Sequence, residues 1–272
     1  VSDGARESVG RCEGCGGGDL RLLRTAPSLY GAAPIRFERC AGCGLIFQSP
    51  RPTEAEARAG YASSHAAGPT LEDEAAAVRI YETYLGAVVR RAGLSVGARV
   101  LDIGCGRGTA LGVARDRFGW VGVGVDLSEE RTREGREKRG LNLIRADFRD
   151  LPSMALGSFD LATAFQVLEH LHRPGALFDV VRAMVRPGGW FLVNVPRYSR
   201  LNEAFVPRFW DDAHLFYFTE ATLDGFAARA GFSKEAVLPS PSPSVLKRAA
   251  LATLAALGMP AGVLTVLFRR DE

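Results

Sequence analysis

From residue 98 onward, short apolar runs alternate with helix-patterned stretches, and this alternation leaves the chain few architectures to choose from. The runs are ARVLDIG (98–104), VGVGVD (121–126), LNLIRAD (141–147), FDLATAF (159–165) and WFLVNVP (190–196). Between them lie helices expected over Thr109 to Phe118, the highly charged Ser128 to Arg139, and Gly175 to Val185, the last ended by Pro187-Gly188-Gly189. Strands that are apolar throughout are buried on both faces, as in a parallel sheet covered by helices. The expected class is therefore α/β, a mostly parallel sheet with helices on both sides. A helix over Thr219 to Ala230, a strand over Ser233 to Pro239 and a proline-rich turn around 240–243 follow.

The first strand runs into Asp102-Ile103-Gly104-Cys105-Gly106-Arg107-Gly108. Glycines after a strand let the backbone turn tightly and approach a ligand in front of the next helix. The spacing is G-x-G-x-G, whereas the dinucleotide fingerprint places its third glycine one residue later. Asp126 closes the second strand, where a carboxylate can accept both hydroxyls of a ribose. Asp147 closes the third strand, where an adenine edge would sit, and Phe148 is placed to pack on the ring. Strand-end aspartates can also serve only as helix caps. The ordered set argues for a ligand, because each member falls at a C-terminal strand end, where such sheets bind ligands.

The N-terminal part follows different rules. Cys12-x-x-Cys15 and Cys40-x-x-Cys43 each precede a glycine, Gly16 or Gly44. Two such turns offer four thiolates to one tetrahedral Zn²⁺, and four protein ligands leave no open position, so the metal is expected to be structural. Glycine after the second ligand permits the positive φ that closes each turn. Cys105, in the glycine turn, is expected to be a small packing residue. Pro50-Arg51-Pro52 leads into a helix over Thr53 to Tyr61, with Thr53 placed to cap it. After a small-residue linker (62–69), a helix over Leu71 to Ala92 carries Tyr81, Tyr84, Leu85 and Val88 at helical spacing. The expected division is a zinc ribbon over 1–52, a helical linker or lid over 53–94 and the main α/β domain over 95–272.

Lys and Arg total 34 against 31 Asp and Glu, a net charge of +3, which is too mild to indicate a nucleic-acid partner. The first residues, VSDGARESVG, lack a signal-peptide pattern, and paired C-x-x-C motifs suit metal binding in a reducing compartment, so the cytoplasm is the expected location. From Ala249 to Phe268 twenty residues carry no charge, a length that could span a membrane. Gly258-Met259-Pro260 interrupts it, so the expectation is a helix, a turn and a buried strand over Gly262 to Phe268, with no membrane span.

Taken in order, VLDIGCGRG, VGVDLS, ADFRDLP, FDLATAFQVLEHL and RPGGWFLVNVP resemble the class I S-adenosylmethionine (SAM)-dependent methyltransferases over roughly residues 95–235. The resemblance implies a Rossmann-like sheet of seven strands whose last strand runs antiparallel, and GVLTVLF (262–268) suits that strand. It also implies that Asp102, Gly104, Gly106 and Gly108 border the methionine part of SAM. Asp126, with Leu127 beside it, would hold the ribose, and Asp147 with Phe148 would meet the adenine. Gln166 matches a position near the sulfonium. The ribbon, continuing into C-G-L-I-F-Q-S-P-R-P-T and Tyr61, looks like those fused to small-molecule methyltransferases of bacterial secondary metabolism and sugar modification. Some ribosomal-RNA methyltransferases carry a less similar zinc module.

Methyl transfer is an in-line displacement, for which alignment supplies much of the rate. A hydroxyl acceptor gains from a base, by about 10²–10⁴-fold. His170, after the fourth strand, and His214, within the aromatic segment 209–218, are the candidate bases, and Glu169 could orient His170 or act itself. Each could equally be a hydrogen-bonded structural residue. His172 and His65 are expected to be exposed bystanders, and Arg197, although placed to meet an anionic acceptor, is expected to be solvated. No magnesium-type acidic cluster is visible, which disfavours a metal-dependent catechol-type transfer. The expected reaction is methylation at an O or N atom of a small molecule, a natural-product or sugar intermediate. Its rivals are an RNA-base methyltransferase and a non-catalytic assembly module.

Overall fold

The computed structural model describes residues 6–28, 33–64, 71–206, 209–241 and 262–272. Its N-terminal part contains β1 (Arg6–Glu7), β2 (Leu20–Ala26), β3 (Ile35–Cys40), β4 (Ile46–Gln48) and β5 (Arg51–Pro52). Two helices follow, α1 (Glu54–Ser64) and α2 (Leu71–Ala92). At the start of α1, the Thr53 N–H and hydroxyl both donate to the Glu56 carboxylate (3.2 and 3.1 Å). The cap therefore works through Glu56 reaching back, rather than through the threonine oxygen accepting from the helix.

The α/β part runs β6 (Arg99–Ile103), α3 (Thr109–Phe118), β7 (Val121–Asp126), α4 (Glu129–Arg139), β8 (Leu143–Arg145), β9 (Phe159–Phe165), α5 (Pro174–Met184) and β10 (Val185–Pro196). It continues with α6 (Arg200–Phe205), β11 (Phe216–Tyr217), α7 (Glu220–Arg229), β12 (Phe232–Leu238) and β13 (Val263–Arg270). Seven of these strands form one sheet in the order β12-β13-β10-β9-β6-β7-β8. β13 pairs antiparallel with β10 and β12, while β10-β9, β9-β6, β6-β7 and β7-β8 are parallel. The seven-stranded, mostly parallel Rossmann-like sheet is as expected, with its last strand reversed. Among the described residues, no helix is long and apolar enough to cross a membrane. Residues 249–261 of the uncharged C-terminal stretch, and His65, lie outside the described residues.

Two expectations shift locally. The third strand is only Leu143–Arg145, because Asp147 has left it to cap a 3-10 turn over Phe148–Ser153. The Pro187-Gly188-Gly189 segment does not end α5, which gives way at Val185 directly to β10; instead it forms an irregularity between Val185 and Trp190 in the pairing with β9.

Period-two alternation divides the sheet's residues between two cores. Leu101, Ile103, Ala162, Ala164, Phe191, Val193, Val195 and Phe268 pack on the side holding Phe178 of α5 and Phe226 of α7. Val100, Leu161, Trp190, Leu192 and Leu267 pack on the side holding Tyr84, Leu85 and Val88 of α2. Burying a large apolar side chain contributes about 1.5–3 kcal/mol, so these two layers hold the strand ends rigidly in place.

The ribbon does not stand apart. Its sheet has the order β11-β4-β3-β2, so the fourth strand comes from Phe216–Tyr217, far along the chain, with Phe216 opposite Phe47 and Tyr217 opposite Ile46. Phe37, Trp210, Phe209 and Tyr217 share one aromatic cluster. The stem is locked as well. Buried Arg51 donates to the His172 carbonyl (3.1 Å) and to Glu7 (2.9 Å), and the His172 ring Nε2 donates to the Pro52 carbonyl (2.8 Å). His172 is thus no exposed bystander: it is buried and fastens the loop after β9 to the ribbon's base, and burial lowers its pKa.

Candidate active site

The turn after β6 places Gly104, Gly106 and Gly108 at φ 70°, 53° and 75°, a region that side chains with a Cβ avoid. A Cβ on Gly104 would sit 2.3 Å from Val167, and one on Gly108 2.7 Å from Leu141, so both are pressed against protein. One on Gly106 would meet nothing within 4 Å. Gly106 therefore borders open space at the C-terminal edge of the sheet. Beside it, the Gly106 N–H donates to Asp126 Oδ2 (2.9 Å) and the Ser128 N–H to Oδ1 (2.8 Å). Two backbone donors thus orient a buried carboxylate, with Leu127 half-buried next to it. Cys105 is buried beneath the turn, as a packing residue should be.

Under the turn runs a row of buried polar groups that the strand pattern alone does not advertise. The Thr163 hydroxyl donates to Asp102 Oδ1 at 2.6 Å. Burial pushes the Asp102 carboxyl up to about 7, against the lowering by Thr163 and with a further rise from the charge of Asp126. In the next strands, Asn194 donates to the Thr265 hydroxyl (2.6 Å) and to the Tyr84 oxygen (3.5 Å). Its Oδ1 accepts from Gln166 Nε2 (2.7 Å). Gln166 stands at φ 55°, the one non-glycine residue at positive φ among those described. Such a conformation persists where surroundings over-determine it, commonly at functional sites. Here Asn194 grips both the Gln166 side chain and its backbone N–H (2.8 Å to the Asn194 carbonyl).

From α2, Tyr81 meets Phe165 edge-on, with ring centroids 4.8 Å apart. Burial, aided by the charge of Asp102, pushes its phenol up to about 12. In the sequence Tyr81 shows only helical spacing; that it comes within reach of the charge of Asp102 depends on the docking of α2. On the far side of the turn, Asp147 accepts from Arg149 (2.7 Å) and from Arg58 of α1 (2.5 Å). Burial works to raise its pKa, but the guanidinium contacts prevail and hold the carboxyl down to about 2. Phe148 is half-buried at the edge of the core.

Past β9, the chain brings together all three candidate proton-handling residues. Glu169, His170 and His214 each offer a donor atom, and these atoms lie within 4.8 Å of one another. Glu169 is fully buried, and neither carboxylate oxygen has a hydrogen-bond partner among the described residues. Burial pushes this carboxyl up to about 8, with the charge of Asp211 adding to the rise. His170 Nδ1 donates to the Ala213 carbonyl (2.8 Å), and the Leu215 N–H donates to the Glu169 carbonyl (2.8 Å), which ties this loop to segment 209–218. His214 Nδ1 lies 3.1 Å from Asp211 Oδ2, close enough for an ion pair though not aligned as a hydrogen bond. Burial lowers the His214 pKa. Arg197 departs from expectation: it is half-buried rather than solvated, and burial lowers its pKa.

In the ribbon, Cys12 and Cys43 Sγ atoms lie 3.4 Å apart and those of Cys15 and Cys40 3.5 Å apart. All four thiols are within 4.8 Å of each other, with no disulfide among the five cysteines. Tetrahedral Zn–S bonds of about 2.3 Å would separate sulfurs by about 3.8 Å, so the cluster fits one zinc ion. Gly16 and Gly44 take the positive φ expected of them, 74° and 78°.

An open parallel sheet with a glycine turn, a fixed strand-end carboxylate and a reversed last strand defines the class I SAM-dependent methyltransferase fold. Residues 77–237 match the family model described as a methyltransferase domain, and the chain belongs to that family. It is similar to the ubiquinone biosynthesis O-methyltransferase of Bordetella avium (34% identical over 104 residues, 36% of this chain and 43% of that protein). The protein of the same name from Xanthomonas campestris is 36% identical over 98 residues, 34% of this chain and 41% of that protein. These matches thus span less than half of each relative's length. In fold it resembles the 1,6-didemethyltoxoflavin-N1-methyltransferase of Burkholderia thailandensis, solved with its substrate and S-adenosylhomocysteine (TM-score 0.60, 20% identity, 91% of this chain and 100% of that one). It also resembles the magnesium protoporphyrin IX methyltransferase of Synechocystis (TM-score 0.56, 14% identity, 80% and 100%).

Proposed function

We propose that this protein moves the methyl group of SAM to an O or N atom of a small molecule, a natural-product or sugar intermediate. The observation that carries the reading is the open space at Gly106 beside the Asp126 carboxylate, which two backbone donors hold in place. SAM supplies a methyl carbon activated by positive sulfur; attack by the acceptor's lone pair breaks the C–S bond, and its electrons return to sulfur. Gly104, Gly106 and Gly108, with Asp102 behind them, border the methionine part, and Tyr81 stands within reach of the Asp102 charge. Asp126 and Leu127 hold the ribose. Asp147 and Phe148 meet the adenine, with Asp147 offering only the lone pairs that Arg58 and Arg149 leave. Gln166, kept in its left-handed conformation by Asn194, sits at the sulfonium end.

The acceptor's proton leaves toward the Glu169, His170 and His214 group. Because His170 Nδ1 donates to a carbonyl, neutral His170 carries its lone pair on Nε2, which suits a base. The four-cysteine cluster holds a structural zinc ion and keeps segment 209–218 in place as the acceptor wall. Free thiols and a zinc site suit the reducing cytoplasm. The names of the O-methylating relatives and of the toxoflavin-type structure support a small-molecule acceptor over RNA. Calorimetry with S-adenosylhomocysteine tests the cofactor reading, and no heat of binding would leave a non-catalytic module. Filter binding at low salt tests the RNA alternative, which requires steeply salt-dependent retention. His170→Ala and His214→Ala should each lower kcat; unchanged kcat in both would mean that alignment alone suffices.

A further inference from the structure

We propose that Glu169, His170 and His214 form a second metal site, distinct from the ribbon, that binds one divalent transition-metal cation. A carboxyl without hydrogen bonds is costly to bury, and most costly when ionised, and Glu169 is fully buried with both oxygens unmatched among the described residues. Its nearest basic neighbour does not satisfy it: His170 Nε2 stands 3.9 Å from Glu169 Oε1, beyond hydrogen-bond reach. With His214, these ligand atoms lie within 4.8 Å of one another. Ligand atoms sharing one cation at bond lengths of about 2.1 Å sit about 3.0–3.4 Å apart. Side-chain shifts of roughly 1–1.5 Å, shared among the three residues, would bring the set into that range.

The imidazoles are prepared in the manner of metal ligands. A ligating histidine almost always gives its other ring nitrogen to a carbonyl or carboxylate, which fixes tautomer and orientation. His170 gives Nδ1 to the Ala213 carbonyl at 2.8 Å. His214 sets Nδ1 3.1 Å from Asp211 Oδ2, near it but not aligned as a hydrogen bond, and Asp211 is itself fixed by accepting the Ala213 and His214 N–H groups at 2.8 and 2.9 Å. A dication would also neutralise Glu169 and Asp211 together. Two imidazoles and one carboxylate favour Mn²⁺, Fe²⁺, Co²⁺ or Zn²⁺ over Ca²⁺, which prefers all-oxygen sites. Three protein ligands leave open positions, in contrast to the closed four-cysteine site. A hydroxyl oxygen of the acceptor could take one of them, and binding there would lower its pKa.

Metal binding can be measured without turnover. Protein carrying zinc in the ribbon is dialysed against Mn²⁺ or Zn²⁺, and bound metal per chain is counted by plasma mass spectrometry. The wild type should hold one metal beyond the ribbon's ion with at least one of the two. Glu169→Gln, His170→Ala and His214→Ala should each weaken that second ion by about tenfold or more while keeping their affinity for S-adenosylhomocysteine. His214→Gln is the gentler replacement should His214→Ala fail to fold. A wild-type protein that holds only the ribbon's ion under both dialyses overturns the proposal, as does a second ion that survives in all three variants. If the second ion is missing but Glu169→Gln still lowers kcat, the metal site falls and the reading of this group as a proton acceptor stands.

Discussion

Gly106→Ala separates fold from cofactor binding. The alanine must adopt φ near 53°, which costs about 1–2 kcal/mol for a residue with a Cβ. Its methyl group meets no protein atom within 4 Å, so no packing penalty is added. For a domain of this size 1 kcal/mol corresponds to about 2–4 °C in Tm, so the variant should melt roughly 2–8 °C below wild type and remain folded. Cofactor binding should suffer more. The new methyl projects into the space assigned to the methionine part, and overpacking by one methyl costs about 1–3 kcal/mol, or about 5- to 150-fold in Kd. Thermal melts without ligand and calorimetry with S-adenosylhomocysteine measure the two quantities on one sample. Gly104→Ala is the contrast, because its Cβ would collide with Val167 at 2.3 Å and should destabilise the free protein further. Wild-type affinity in a folded Gly106→Ala would refute the placement of the cofactor.

Three other outcomes follow from the site and the ribbon. Asn194→Ala removes the partner of both Gln166 and Thr265 (2.7 and 2.6 Å) and should cost about 1–3 kcal/mol; denaturation with and without S-adenosylhomocysteine should show a smaller ligand-induced gain than in wild type, and an equal gain would mean that Gln166 needs no such support. Asp102 binds its proton up to about pH 7 when folded, against 3.8 ordinarily. The folded state therefore holds more protons than the unfolded state between those values, and stability falls as pH rises through that window. Asp102→Asn should remove that part of the slope in urea titrations at about pH 4.5 and about pH 7.5, and superimposable slopes would count against a protonated Asp102. Stripping zinc with a chelator should increase hydrogen exchange at Phe216 and Tyr217 as well as at Ile46 and Phe47, because those residues are paired; exchange confined to residues before 53 would show that the ribbon unfolds alone.

Much of this was legible because it depends on short-range chemistry. The strand–helix alternation, the G-x-G-x-G turn and the knuckle glycines are dictated by backbone sterics and burial, which neighbouring residues already encode. Asp126 could be placed at a strand end for the same reason. Asp147 could be placed only nearly so, because its own side chain prefers to cap the next turn, and that preference shortened β8. The pairing of Asp147 with Arg58 was out of reach, since α1 and the turn after β8 are far apart in the chain. His172 looks exposed when only its polar loop is considered. What buries it is Arg51 and the Pro52 carbonyl, contacts spanning about 120 residues.

The chain's own order of residues determined that a parallel sheet would form, that its first turn would be glycine-lined, and that four thiols would gather near the N-terminus. These outcomes rest on periodicity and local conformational preference. Tertiary structure alone decided that Tyr81 would come within reach of the charge of Asp102, that Phe216–Tyr217 would complete the ribbon's sheet, and that Glu169, His170 and His214 would bring their ligand atoms within 4.8 Å of one another. Each of those results joins segments whose positions are set by packing of whole layers. Side-chain partners drawn from distant segments are fixed only when the core closes around them.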